Sequence, residues 1–236
     1  MKKIIALTLA VVMMLGLLAG CGAKETPAAD TPATEAVDYA SMTIEELKPL
    51  LKTLTAGKLT MVTSPDFAPY EFYALDENGT PTLAGFDIAL GYYIADYLGL
   101  ELEVVPMDFD GTILELQNKK VDLSLAGYSP DPDRADAMDF SDIYISGGQS
   151  FVCLDETAAQ FPDLAAANNP DYTVGAQIGS IQADLARENT PDADIIEMAK
   201  VTDIIAELIT GKMDGASSRP WSPRAMRRTI PSCAWL

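Results

Sequence analysis

Residues 84–142 read A-G-F-D-I-A-L-G-Y-Y-I-A-D-Y-L-G-L-E-L-E-V-V-P-M-D-F-D-G-T-I-L-E-L-Q-N-K-K-V-D-L-S-L-A-G-Y-S-P-D-P-D-R-A-D-A-M-D-F-S-D. The pattern is a helix, a strand, a short helix, a second strand and a loop that ends in Arg134. The period predicts a helix over 86–98 with Phe86, Leu90, Tyr93, Ile94 and Tyr97 on one apolar face. Strands follow at 101–106 and 121–126, with a helix at 112–118 between them. Arg134 then lies just past the carboxyl end of a strand, where open α/β sheets take small ligands.

Outward from this stretch the alternation continues. A strand is expected at 58–63. A second set begins with a strand at 149–154 and a helix near 158–167. It continues with strands at 172–176 and 193–197, helices at 181–188 and 202–210, and a strand starting at Met213. No internal repeat is evident. Alternating elements of this kind argue for parallel sheets covered by helices.

The start of the chain gives an address. Lys2 and Lys3 precede an apolar run over 4–18, followed by Leu18-Ala19-Gly20-Cys21. A charged start, a short apolar core and small residues at the cut form an export signal, and the run is short for a membrane span. Residues 23–38 are rich in Ala, Thr, Pro and Glu and read as a tether. Residues 41–54 (Ile44, Leu47, Leu51, Leu54) read as a short amphipathic helix.

The net charge is −19, two units more negative once Lys2 and Lys3 leave with the signal. That balance excludes nucleic acid as a partner. The chain has no histidine and three cysteines, Cys21, Cys153 and Cys233. His-based triads and His-ligated metals are therefore excluded. No disulfide framework or metal spacing is present, and no cofactor is expected.

Gly85-Phe86-Asp87, the run from Val121-Asp122 to Ala126-Gly127, Arg134, and Asp139-Phe140-Ser141 match in order and spacing. On these pieces the chain, from about Lys58 to about Gly215, resembles the extracellular amino-acid-binding proteins of ABC importers, the family 3 solute-binding proteins. The resemblance implies a two-lobed periplasmic-binding-protein-like α/β fold of type II. It divides the chain into a signal peptide (1–20), a lipidated Cys21 and tether (21–55), lobe one (56–147), an incomplete lobe two (148–215) and an aberrant tail (216–236). The chain would cross between lobes at Ser146-Gly147-Gly148. Leu-Ala-Gly-Cys resembles a bacterial lipobox, so Cys21 would carry the lipid that holds an exported monomer at the outer face of the membrane, or in the periplasm, beside its permease.

A free L-amino acid presents a carboxylate, an ammonium and a side chain. A planar Arg fork and hydroxyls or amides suit the first, acceptors the second, and an apolar or aromatic clamp the third. Arg134 is the carboxylate candidate; a surface arginine pairing with Asp131 or Asp136 is the alternative. Ser129 would donate to the same carboxylate or cap a helix, and the Gly127 carbonyl would accept from the ammonium. Phe67 and Phe109, both placed in loops, resemble the family's aromatic walls. The turn Gln177-Ile178-Gly179-Ser180-Ile181-Gln182 would bring amides, the Ser180 hydroxyl and the Gln182 amide to the other face of the ligand, or be a capped helix start alone. Asp66, Glu71 and Gln177 are further candidates. Acids near the aromatic loops favour a polar or basic side chain.

Residues 216–236 break the pattern. They contain Arg219, Arg224, Arg227 and Arg228, three prolines, both tryptophans and no acid. A one-base shift permits a reading that begins A-F-I-E, with a glutamate at position 219, where the resemblance puts the acid that holds the ligand ammonium. The tail is thus expected to be a frameshifted, irregular and poorly packed segment that truncates lobe two. Other classes are an exported dehydratase-like enzyme, with Glu71, Asp66 or Asp110 as acid or base, and a tethered ligand-sensing domain.

Overall fold

The computed structural model describes residues 38–135, 138–219 and 233–235. The expectations for the signal, Cys21 and the tether as far as residue 37 lie outside them, as do those for 220–232. The described residues up to Pro49 belong to one unit and those from Leu50 onward to another. In the first, the expected helix over 41–54 is only one turn, α1 (Ile44–Leu47), between 3-10 turns at Tyr39–Ser41 and Lys48–Leu50. Thr43 starts it, its amide and hydroxyl both donating to the Glu46 carboxylate at 2.8 and 2.9 Å. Pro49, which cannot donate within a helix, stops it.

In the second unit, the first lobe is built on a parallel sheet in the order β5-β1-β6, from β1 (Lys58–Thr63), β5 (Glu101–Pro106) and β6 (Leu123–Ser124). Beside it stands an antiparallel sheet of β2 (Asp66–Phe67), β3 (Glu71–Leu75) and β4 (Pro81–Ala84), which sequence reading missed. Its β3–β4 turn closes at Asn78-Gly79, Gly79 having φ +80° and the Asp76 carboxylate accepting from the amides of Asn78 and Thr80 at 2.8 Å. Asp122 ties the segment ahead of β1 to the sheet by accepting from the amides of Leu54 and Thr60, both at 2.8 Å.

Helix α2 spans Phe86–Leu98 as predicted, but its expected apolar face is corrected. Phe86, Tyr93 and Tyr97 are exposed, whereas Asp87, Ile88, Gly91 and Ala95 are buried. Gly91 favours this rotation: a Cβ there would lie 2.4 Å from the Met61 sulfur, so a larger residue would have to displace that fully buried side chain as the helix presses on β1. Ile88 joins Met61 and Leu125 in the core of this lobe. Helix α3 covers Phe109–Gln117 and starts three residues earlier than expected. Phe109 is therefore the first residue of a helix, and Phe67 lies in β2; neither is in a loop.

The second lobe is a five-stranded sheet in the order β11-β7-β10-β8-β9. Its strands are β7 (Ser150–Leu154), β8 (Thr173–Gln177), β9 (Asp194–Met198), β10 (Gly215–Ser218) and β11 (Cys233–Trp235), with α4 (Ile181–Asn189) and α5 (Val201–Ile209) packed against it. β8 runs parallel to β9 and β10; β7 is antiparallel to β10 and β11. The helix expected near 158–167 is two 3-10 turns, at Ala158–Gln160 and Leu164–Ala167. Pro162 separates them.

The expectation that regular structure ends at Ala216 is also corrected. Gly215–Ser218 is a central strand, Ala216 and Ser218 are buried, and Arg219 is 3% exposed. The reason is local: small side chains are needed here, since a Cβ on Gly215 would lie 2.0 Å from the Phe151 ring. Cys233–Trp235 adds an edge strand on β7.

Candidate functional site

The two lobes of the 50–236 unit meet along one apolar cluster. Phe67 and Tyr70 of the first lobe pack with Val152, Leu154, Val201, Ile204, Ile205 and Leu208 of the second. At its edge a cavity of about 30 Å³ is lined by Asp66, Phe67, Glu71, Phe109, Gly127, Ser129, Arg134, Gln177 and Gln182, among others. That volume holds about two waters and no amino acid. The cleft is closed on itself.

Its polar residues satisfy one another across the lobes. Arg134 ends a 3-10 turn (Pro132–Arg134) capped by Asp131. Its Nη2 donates to the Gly179 carbonyl at 3.0 Å, and its Nε lies 3.3 Å from Asp131. The surface-pair alternative thus holds in part: Arg134 has its Asp131 partner and still faces the cleft, its side chain 14% exposed. Gln149 donates to the Ser129 hydroxyl at 3.1 Å and accepts from Gln182 at 2.9 Å. Ser129 caps nothing. Asp66 accepts from the Val201 amide at 2.6 Å, Gln177 at 3.2 Å and Ser64 at 3.0 Å.

Ser180 is a different case. It is buried, accepts from the Ala183 amide as the cap of α4 and donates to the Gln177 carbonyl. Its hydroxyl is spent on the turn and does not line the cavity.

The aromatic walls are in place. Phe67 stacks on Tyr70 at 5.4 Å, and Phe109 tilts on Tyr128 at 5.1 Å. Gly127 has φ +58° and would carry a Cβ 3.0 Å from the Phe67 ring, so the position needs glycine twice over. The Asp87 carboxylate, in the first turn of α2, accepts from the Gly127 amide at 2.8 Å and from the Tyr144 hydroxyl at 3.1 Å. Asp87 thereby fixes the Gly127 peptide.

Next to Asp87 lies Glu71, 1% exposed, with Oε2 unpartnered when ionised. Burial pushes the Glu71 carboxyl well above its ordinary value, and the neighbouring Asp87 charge pushes it the same way. A proton there lets Glu71 donate to Asp87. Burial also raises Asp87 and Asp66.

The sign of the linkage follows. Above the ordinary value of 4.5, folded Glu71 keeps a proton that the unfolded chain releases. Stability is therefore fullest at or below that pH and falls as pH rises toward the elevated folded value. Glu71→Gln keeps a donor for Asp87 and has no proton to lose. In urea titrations across pH, the decline in unfolding free energy above pH 4.5 is expected to be shallower in Glu71→Gln than in the unmutated chain; parallel curves would contradict the assignment.

Sequence reading missed Gln149, Tyr70 and Asp87 as parts of the site. Through the family resemblance it placed position 219 at the ligand ammonium and expected an acid there in the alternative register. Arg219, at the end of β10, is instead a buried cation whose Nη1 donates to the Gly127 carbonyl at 2.9 Å and whose guanidinium lies 5.5 Å from the centre of the Tyr70 ring.

Comparison with known proteins bears out the fold. Residues 59–221 match the model of the bacterial extracellular solute-binding proteins, family 3. The arginine-binding extracellular protein ArtP of Bacillus subtilis is 34% identical over 162 residues, 67% of this chain and 60% of that protein. The chain thus spans about three-fifths of this curated relative's length. Cyclohexadienyl dehydratase of Pseudomonas aeruginosa is 27% identical, over 83% of this chain and 71% of the enzyme. Among solved structures, the amino acid ABC transporter substrate-binding protein AbpA of Streptococcus pneumoniae, bound to L-arginine, superposes with a TM-score of 0.72 at 30% identity. That match covers 76% of this chain and 74% of AbpA. With its type II two-lobed fold and the family match over most of its length, this chain belongs to the family 3 bacterial extracellular solute-binding proteins.

Proposed function

We propose that the chain is of the ligand-capturing type in an amino-acid ABC importer: an exported, lipid-anchored monomer that closes its lobes on a polar or basic L-amino acid and offers the closed form to a permease. One observation carries the reading: Arg134 and Ser129 of the first lobe and Gln182 of the second line one cavity with Phe67, Phe109, the half-buried Asp66 and the buried Glu71. A carboxylate would replace Gly179 and Gln149 as partner of Arg134 and Ser129, and the Gly127 carbonyl would take the ammonium. The capture mechanism is hinge closure around the ligand. Lys2, Lys3, the apolar run after them and Cys21 support export and anchoring.

The capturing form is proposed to carry residues 216–236 in the alternative register, with an acid at position 219, followed by the return segment that the family resemblance implies. Calorimetric titration of that form with the common L-amino acids is expected to give saturable binding of one with a polar or cationic side chain. Absence of binding to all of them would overturn the reading.

A second reading, an exported enzyme, is favoured by the likeness to cyclohexadienyl dehydratase together with a carboxyl, Glu71, held protonated in the cleft. Turnover of a cyclohexadienyl substrate that is lost in Glu71→Gln would establish it in place of capture.

A further inference from the structure

We propose that Arg219 is a built-in occupant of the cleft, its guanidinium filling the subsite formed by the Gly127 carbonyl, the Tyr70 ring and the Glu71–Asp87 carboxyl pair and so excluding the cationic group of a free ligand. The inference rests on the capture reading for its biological sense, but its geometry stands apart from it.

Arg219 leaves β10 of the second lobe and reaches Gly127 of the first, so its side chain crosses the cleft. It is 3% exposed. A buried arginine held for structure normally meets a carboxylate fork-to-fork or spends its donors on several acceptors. Arg219 does neither: among the described residues no ion pair to it occurs, its guanidinium donates to the Gly127 carbonyl, and Nε–H has no partner. Instead it is held by a carbonyl and an aromatic face, with the Glu71 and Asp87 carboxyls near enough to feel its charge but not in ion-pair contact. Such a set recognises a cation without being specific to one attached to this chain. Gly147, at the lobe crossing, leaves it room, since a Cβ there would lie 3.0 Å from the Arg219 Nε. The cavity that Gly127 lines holds about two waters.

The test compares the unmutated chain with Arg219→Ala, titrating ethylguanidinium and, separately, L-arginine, and reading heat and Tm. In Arg219→Ala, ethylguanidinium is expected to bind and raise Tm while the unmutated chain does not respond, and the affinity for L-arginine is expected to rise at least tenfold. Equal responses of the two chains to ethylguanidinium overturn the proposal, whether both bind or neither does. If L-arginine binds both chains equally well, the occupant is overturned while the capture reading stands. If ethylguanidinium binds Arg219→Ala but no amino acid does, the occupant stands and the capture reading falls. Should Arg219→Ala not fold, NMR of the unmutated chain decides. A slowly exchanging Arg219 Nε–H, shifted by the Tyr70 ring, supports the occupant; a freely exchanging, unshifted one overturns it.

Discussion

Replacing Gly85 with alanine is expected to destabilise the chain by roughly 3–5 kcal/mol, a large part of the 5–15 kcal/mol by which domains of this size are stable. Gly85 precedes α2 with φ +125° and ψ 175°, a region open essentially to glycine alone. An added Cβ would lie 2.1 Å from the Tyr70 carbonyl oxygen and 2.6 Å from its carbon. Those are backbone atoms and cannot swing aside. The same carbonyl accepts from the Asp87 amide at 2.9 Å, so relief of the clash would move both Asp87, which fixes Gly127, and Tyr70, which lies under Arg219. Urea unfolding followed by circular dichroism measures the loss. A change under about 1 kcal/mol, the ordinary cost of a surface substitution or less, would contradict this geometry.

Arg134→Ala is the second large effect. In a form that binds an amino acid, removing the guanidinium leaves the ligand carboxylate buried and unpaired, at a cost of about 2–5 kcal/mol. At 1.4 kcal/mol per factor of ten, this is a loss of affinity of roughly 30- to 4,000-fold. Arg134→Lys keeps the charge but loses the planar fork and should fall between. Calorimetry with the preferred amino acid reads both. Unchanged affinity in Arg134→Ala would remove this residue from the site. In the ligand-free chain the same substitution breaks only the partly exposed contacts to Gly179 and Asp131, so the unfolding free energy should shift by little.

The legible parts of the fold were those whose signals are local. The bounds of β1, α2 and β5 are as read from sequence, because each has a clear period and Gly99, at φ +74°, ends α2 cleanly. The hairpin β2-β3-β4 was overlooked because its strands are short, although Asn78-Gly79 marks its turn. The buried face of α2 was misassigned because Phe86, Tyr93 and Tyr97 outweigh one glycine on any hydrophobicity count. Gly91 contributes by absence, letting the helix meet Met61.

In the site, sequence placed Phe67, Phe109, Ser129, Arg134, Gln177 and Gln182 around one cavity. All but Ser129, which lies in the loop after β6, sit at or next to the end of an element, where the α/β pattern delivers side chains to a cleft. Gln149 and Tyr70 were not legible because their roles depend on partners distant in sequence. The family resemblance put position 219 at the ligand ammonium, but the close packing of Arg219 was not legible, because a polar, proline-rich tail gives no signal that its first residues complete a sheet.

The apolar cluster shared by Phe67 and Tyr70 with the second lobe has a calorimetric consequence. A receptor whose lobes part freely in the absence of ligand buries apolar surface on capture, and its binding shows a large negative heat-capacity change. Here that surface is already removed from water between the lobes. Parting the lobes would hydrate it, which raises the heat capacity of the open form and makes opening easier in the cold, where the hydrophobic contribution weakens. Ligand entry into this chain should therefore show a small heat-capacity change and a rate governed by the opening step.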